Sequence, residues 1–450
     1  MIVSFSVSNF RSFATEETFN LVASNRFSDS HVNHAVPIPG SDDKVLKTGV
    51  LYGANGAGKS NLFKAMKYLC RRALKAQERS AGTGREAFRF ANMSDAPSVF
   101  DLRFVAKNQL YGFGFAADDN RILEEWLVRI DGAKETPLYE RATNKGGKVT
   151  VEAPGLTNVR KKLDALVTVG APPNQTFLAT VRATLDSEDI GAELSGVIGW
   201  FEDSLVLVGP SASPVGLGTR LGQDSEFLEF ASSFLRNSAT GVQNLEVNKK
   251  ELKEDELRAL LPGDVVERVL RDTKRESALV ELASGEELVI ERGDHDHYYL
   301  LTIAAQHEHK SGSRVTMELS EESDGTQRLL NLIPALRHLQ TEDVTYFIDE
   351  IDRSMHPMLV WKFLEFFLKS CGTGHCQIIV TTHESNLLDL DLLRRDEIWF
   401  AEKDPQGATR LYSLSDFKVR KDLEIRKHYL RGRFGAIPFL GNLDRLLPKP

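Results

Sequence analysis

The run Gly53-Ala54-Asn55-Gly56-Ala57-Gly58-Lys59-Ser60 sets glycines, a lysine and a hydroxyl at the spacing G-x-x-x-x-G-K-[ST]. Glycines at those positions let successive backbone N–H groups curl around phosphate oxygens, and a helix opening at the lysine adds its positive dipole end. Lys59 is then placed to reach the β- and γ-phosphates of a nucleoside triphosphate, and Ser60 to ligate Mg²⁺. Gly53, Asn55, Gly56, Gly58, Lys59, Ser60 and Asn61 form the expected phosphate cradle. Its flanks agree: the apolar Val50-Leu51-Tyr52 leads in as a strand, and Asn61 to Leu69 follows with helical spacing. ATP and Mg²⁺ are the expected ligands.

Other segments supply complementary chemistry. Val344-Thr345-Tyr346-Phe347-Ile348-Asp349-Glu350 reads as an apolar strand ending in two acids. Asp349 fits an aspartate that holds Mg²⁺ through its water shell, and Glu350 is placed to take a proton from attacking water. A buried strand with a solvated acidic end is the structural alternative. Ser323-Asp324-Gly325-Thr326-Gln327-Arg328 stands before the helical run Leu329 to Ile333. A hydroxyl, a glycine and a helix N-terminus can together bind an anion, although Ser-Asp-Gly is also ordinary turn chemistry. Ile378 to Thr382 reads as a strand delivering His383.

The 450 residues allow one large domain with an insertion or two to three smaller ones. The formal net charge of −8 removes any global attraction to nucleic acid, so such a contact would need a local basic patch. Lys418, Arg420, Lys421, Arg426, Lys427, Arg431 and Arg433 make one, which equally fits a partner surface or a solvated helix face. Three cysteines, Cys70, Cys371 and Cys376, are too few for a disulfide scaffold and fit a reducing compartment. No run has transmembrane length and the start lacks a signal-peptide pattern, so a cytoplasmic location without membrane contact is expected. Asp294-His295-Asp296-His297 and His307-Glu308-His309 could bind a transition metal or form a solvated β-ribbon.

The elements that must position these groups follow from periodicity. Residues 2–7 alternate as a strand, residues 24–48 read as loop, and 98–105, 109–115 and 122–128 read as antiparallel strands. Helical spacing marks 176–207, 225–237 and 250–272, and residues 277–318 return to strand alternation. The expected organisation is an ATPase lobe with a β subdomain (1–150), a compact helical insertion (151–276) and a second lobe with the Asp-Glu strand, His383 and the basic tail (277–450).

The order of these motifs resembles the ATP-binding-cassette ATPase superfamily, in the branch of SMC and RecF-type heads. The resemblance implies an α/β P-loop ATPase head with a mixed sheet, an antiparallel β subdomain and a helical insertion. It implies that Ser323, Gly325 and Gln327 of one protomer act on ATP held by another, in a homo-oligomer of at least two chains. Asp352 matches the D-loop aspartate and His383 the switch histidine that senses the γ-phosphate. Asn9-Phe10-Arg11-Ser12-Phe13 is similar to the N-F-R-S-F run that lies beside nucleotide in such heads, which points Arg11 there. The signature departs from L-S-G-G-Q by carrying Asp324, and Gln109 is the nearest candidate for the Q-loop glutamine.

A narrower resemblance rests on the E-S-D-G-T-Q run, Asp349-Glu350-Ile351-Asp352-Arg353-Ser354-Met355-His356-Pro357 and the closing Tyr429-Leu430-Arg431-Gly432-Arg433-Phe434-Gly435-Ala436-Ile437-Pro438. These are similar to bacterial AAA-ATPases of the abortive-infection group, which includes AbiL/RloA-type proteins and the AriA subunit of the PARIS anti-phage system. That implies a phage-defence ATPase paired with a separately encoded effector such as a TOPRIM nuclease, and a phage-encoded trigger. The short stretch after His383 leads to the expectation of no fused TOPRIM domain, and Asp389, Asp391 and Asp396 within it read as loop acids rather than metal ligands. A DNA-repair ATPase that binds DNA directly is the alternative.

Overall fold

Uninterrupted apolar strands and alternating strands need different surroundings, and this chain contains both. The computed structural model describes residues 1–90, 95–156, 161–211, 217–261, 263, 266–267, 277–281, 287–292, 297–308, 313–337, 339, 342–372, 374–418 and 424–437. They fall into two units: residues 1–209, 338–351 and 363–450, and residues 210–337 and 352–362.

The first unit holds two large sheets. One is antiparallel and places β1 (Ile2–Ser8) between β2 (Glu17–Asn20) and β6 (Ser98–Ala106). It continues through β7 (Gln109–Ala117), β8 (Ile122–Asp131), β9 (Lys134–Thr143) and β10 (Val149–Glu152). β6 alternates in burial as its sequence does, which is how a one-faced antiparallel strand reads. β7 is buried on nearly every residue and carries Gly114, where a Cβ would lie 2.4 Å from the Trp126 ring and 2.5 Å from the Phe100 carbonyl. Only glycine lets that indole cross the strand.

The second sheet runs in the order β11 (Leu205–Val208), β17 (Thr345–Ile348), β18 (Gln377–Thr382), β5 (Thr48–Tyr52), β19 (Ile398–Lys403) and β20 (Thr409–Ser413). Every pair is parallel except β19 with β20. β5, β17 and β18 are buried throughout, the pattern of a parallel sheet covered on both faces. Gln377, wholly buried, joins the sheets: its amide oxygen accepts from Ile2 N at 2.7 Å and its nitrogen donates to Ile2 O and Leu46 O, each at 2.8 Å. Within 24–48, read as loop, the short ribbon β3 (Ala35–Pro37) and β4 (Lys44–Leu46) forms.

α1 (Lys59–Leu74) packs among α2 (Lys161–Val169), α3 (Phe177–Thr184) and α4 (Ser187–Gly199) in the apolar core of the first unit. The expected boundary at residue 150 therefore does not coincide with a unit boundary. α2 to α4 share the apolar core of the first unit with both sheets, and β11 extends the parallel sheet beside β17.

In the second unit, α5 (Leu217–Gln223) and α6 (Ser225–Arg236) accompany an antiparallel sheet. Its order is β12 (Val242–Leu252), β15 (Tyr298–Glu308), β14 (Glu287–Arg292) and β13 (Ser277–Glu281), with β16 (Arg314–Glu318) also paired to β15. The expected boundary at 276 falls inside this unit, because β12 lies before it and its partner β15 after it. Residues 250–252 end β12 instead of opening a helix, and α7 (Glu254–Leu260) follows. The apolar Val265, Val269 and Leu270 lie outside the described residues. α8 (Asp324–Leu332) belongs to this unit, and α9 (Pro357–Cys371) and α10 (Ile425–Leu430) complete the helices used below. None of the described helices is long and apolar enough to cross a membrane.

The start of α3 is capped by Thr176, whose Oγ1 accepts from Ala179 N at 3.2 Å, and is held further by one buried acid. Glu125 accepts from Phe177 N at 2.5 Å, Leu178 N at 3.1 Å and the Tyr139 hydroxyl at 2.7 Å. Burial lifts its carboxyl above the usual range against the pull of Arg141. Glu125→Ala would strand those donors and the buried Arg141. It is expected to lower unfolding free energy by about 3–5 kcal/mol, measured by urea denaturation. A loss below about 1 kcal/mol would show that water or neighbouring groups replace the carboxylate.

Candidate active site

β5, β18 and β17 are adjacent and parallel, so the chain leaves all of them at one edge of the sheet. That edge is where ligands bind in open α/β sheets. The glycine run leaves β5, Asp349 and Glu350 leave β17, and His383 leaves β18.

Two glycines of the loop are fixed by contact. A Cβ on Gly53 would lie 2.5 Å from the Ala401 carbonyl. Gly58 has φ +114°, and a Cβ there would lie 2.1 Å from Thr409 Oγ1 and 2.9 Å from Ser12 Oγ. α1 begins at Lys59, and no side chain caps it. Lys59 is buried, and its ammonium donates to Gly53 O at 2.8 Å, Ala54 O at 3.2 Å and His383 Nδ1 at 3.3 Å. In that arrangement Nδ1 accepts, so the histidine proton sits on Nε2. His383 and the loop lysine, 324 residues apart, thus meet directly.

Ser60 Oγ donates to Asp349 Oδ1 at 3.2 Å, and Thr381 Oγ1 donates to the same oxygen at 2.6 Å. Asp349 is 1% exposed, and its N–H is fixed by Val208 O at 2.8 Å. A hydroxyl and a carboxylate side by side are hard oxygen donors of the kind Mg²⁺ takes, so Ser60 and Asp349 fit that ion. Glu350 stands next along the chain with φ +51°, its N–H donating to Thr381 Oγ1 at 2.8 Å.

The loop is also held from behind. Asn61 Nδ2 donates to Ser12 Oγ at 2.8 Å, and Thr409 Oγ1 lies 2.8 Å from both Ser12 Oγ and Ala57 O. Arg11, next to Ser12, has its guanidinium on Glu86 and its N–H on Glu86 O at 2.7 Å. The N-F-R-S-F run therefore meets the cradle through Ser12. Ser12, Thr381 and Thr409 were not singled out from sequence. Ser12 was visible inside that run, Thr381 as a hydroxyl near the end of an apolar strand, and Thr409 carried no signal. Gln109 binds Ile130 O at 2.8 Å and Asp131 Oδ1 at 3.2 Å at its own sheet, the role of a strand-end amide.

In the second unit Ser323 caps α8, its Oγ accepting from Thr326 N at 3.2 Å. A Cβ on Gly325 would lie 2.6 Å from Ser354 O. Gln327 Nε2 donates to Glu322 O at 2.8 Å, and Asp352 O accepts from Met355 N at 3.2 Å. Of the histidine clusters, His297 pairs with Glu251 and His307 with Glu322. Asp294, His295, Asp296 and His309 lie outside the described residues. Among the described residues no cluster of three or more potential metal ligands occurs.

Cys371 and Cys376 are both wholly buried, and the structure places their sulfurs side by side. Asp396 pairs with Arg394 at 2.7 Å, and Asp389 accepts from Asp391 N at 2.9 Å. Of the basic patch, Arg420 and Lys421 lie outside the described residues. Lys427 pairs with Glu424 at 3.3 Å, and Arg426 reaches Ser385 Oγ at 3.4 Å.

Gly58→Ala would force a left-handed alanine into Thr409. It is expected to weaken ATP binding at least about tenfold through misplacement of the loop, read by equilibrium binding of a fluorescent ATP analogue. An unchanged affinity would show that the Thr409 contact does not set the loop's shape.

A family model described as "AAA domain, putative AbiEii toxin, Type IV TA system" matches residues 50–158 and 219–389. No curated protein sequence matches the chain. Among solved structures, the SMC head domain from Thermotoga maritima is similar at 14% identity and TM-score 0.38, covering 93% of this chain and 99% of that one. An Smc head bound to the C-terminal winged-helix domain of ScpA is similar at 12% identity and TM-score 0.39, with 92% and 97% covered. An Smc head with an extended coiled coil, bound to the C-terminal domain of ScpA derived from Pyrococcus furiosus, is similar at 13% identity and TM-score 0.34, with 92% and 96% covered. The family match takes in the glycine loop, Ser323, Asp349, Glu350 and His383 and spans more than half of the 450 residues, so the chain belongs to this AAA-domain ATPase family.

Proposed function

We propose that the chain is an ATP-hydrolysing switch subunit of a bacterial anti-phage system of the abortive-infection kind. The observation that carries the ATPase reading is the convergence of Lys59, Ser60, Asp349, Glu350 and His383 at one sheet edge. Water attacks the γ-phosphorus in line, the bond to the β–γ bridging oxygen breaks, and ADP leaves with that oxygen. Glu350 takes the proton of the attacking water. Lys59 leaves its loop carbonyls for the β- and γ-phosphate oxygens, where its charge offsets the charge of the transition state. Mg²⁺ held by Ser60 and Asp349 would neutralise phosphate charge. His383, already against the Lys59 ammonium, is placed to register whether the γ-phosphate is present.

Ser323, Gly325 and Gln327, with Asp352, complete the site from a second copy in this reading, so ATP favours the homo-oligomer and hydrolysis releases it. The family description, with its reference to a toxin and a type IV toxin–antitoxin system, supports the defence role. The subunit would hold or release a separately encoded effector, such as a TOPRIM nuclease, in response to a phage-encoded trigger. The PARIS ATPase subunit is one candidate identity.

Glu350→Gln is expected to cut turnover by about two orders of magnitude or more while retaining ATP and strengthening self-association. Turnover equal to the unsubstituted chain would remove Glu350 from the mechanism. Lys59→Ala and Ser323→Ala should each be inactive alone. Mixed, they should regain hydrolysis, because one of the two shared sites is then intact. Mixed oligomers that form yet stay inactive would rule out a shared site. Hydrolysis stimulated by DNA and lost at raised salt would favour the DNA-repair alternative.

A further inference from the structure

One side chain outside the expected catalytic set touches both acids. Thr381 is the penultimate residue of the wholly buried strand β18, two residues before His383. Its hydroxyl has one proton and lone pairs, and both are used. The proton goes to Asp349 Oδ1 at 2.6 Å, and a lone pair receives the Glu350 N–H at 2.8 Å. Thr381 O also accepts from Ile351 N at 3.1 Å, so this residue holds the chain on both sides of Glu350.

Glu350 needs such a hold. Its φ of +51° lies in the left-handed region, which a side chain with a Cβ seldom adopts unless its surroundings impose it. The Glu350 side chain leaves the chain within this turn, and the bond to Thr381 fixes the peptide N–H at which it begins. The proton given to Asp349 orients the oxygen that Ser60 also shares. A methyl group in place of the hydroxyl would release the acid that takes water's proton and the acid beside Ser60 at once.

We propose that Thr381 is a positioning residue for hydrolysis, its hydroxyl setting the aim of Glu350 and the orientation of Asp349 together. The inference rests on the ATPase reading above.

The test compares Thr381→Val, of nearly equal shape, with Thr381→Ser, which keeps the hydroxyl, and with Glu350→Gln, each in the full chain. Expected for Thr381→Val is a fall in kcat of about 10- to 100-fold, with Mg²⁺-free ATP affinity within about twofold of the unsubstituted chain and a raised half-saturating Mg²⁺ concentration. Thr381→Ser is expected to restore both quantities. Unchanged kcat in Thr381→Val, equal impairment in the serine and valine variants, or loss of ATP affinity at constant kcat would each overturn the assignment. If Thr381→Val is recovered unfolded, Thr381→Cys and Thr381→Ala are read by the same criteria. Unfolding of all three would make the hydroxyl structural and also overturn it. Hydrolysis lost in Glu350→Gln but kept in Thr381→Val defeats this inference alone. An unsubstituted chain that does not hydrolyse ATP defeats the ATPase reading and this inference with it.

Discussion

One carboxylate oxygen organises the site. Asp349 Oδ1 receives the hydroxyls of Ser60 and Thr381, which come from a helix and a strand more than 300 residues apart in sequence. A carboxylate at 1% exposure is costly without such donors. It can collect them only if β18 lies beside β17 and α1 starts above β5. The strand order β17-β18-β5 meets that condition. Gln377 reinforces it, because the residue that opens β18 also hydrogen-bonds the first strand of the other sheet.

The rear of the phosphate loop is supported from the two ends of the chain. Ser12 comes from the turn after β1 and Thr409 from β20, and they meet Asn61 and Ala57 in one set of hydrogen bonds. The closing signature joins the same sheet. Tyr429 stacks on Phe400 at 5.7 Å and 19°, and Phe434 stacks on it at 6.1 Å and 17°. Tyr429 also lies 6.2 Å from Tyr52, the residue before the loop. The Tyr412 hydroxyl donates to Phe434 O at 2.8 Å, and a Cβ on Gly435 would lie 2.6 Å from that hydroxyl. The aromatic and glycine positions of this tail are therefore explained by packing on the ATPase sheet.

What the sequence displayed and what it hid follow a physical division. The phosphate loop, the acidic strand end and the histidine strand end were legible because local chemistry dictates them: glycines at forced backbone positions and apolar runs cut off by one charged group. The ladder of β6, β7 and β8 was legible for the same local reason, alternation. The domain limits were not. Whether residues 161–208 cover the ATPase core, and whether β12 seeks β15 across about fifty residues, are questions of long-range pairing that periodicity does not encode. Thr381, Ser12 and Thr409 were hidden because a hydroxyl's role depends on what stands opposite it, and each stands opposite a residue remote in sequence. Gln109 shows the converse, an amide of the right type whose partners make it structural.

Ser323 and Gly325 have sufficient local reasons for their identity within their own unit. The serine caps α8, and the glycine is required by the Ser354 carbonyl. A cap, however, uses the serine oxygen as an acceptor from Thr326 N. The hydroxyl also pairs at 2.9 Å with the Thr326 hydroxyl, a contact in which either oxygen can be the donor. A phosphate oxygen brought to this helix start would meet that hydroxyl and the positive end of the helix dipole together. Capping fixes where the hydroxyl stands, and binding a phosphate through its proton would require the Ser323–Thr326 hydroxyl pair to be oriented with Thr326 as the donor or to give way.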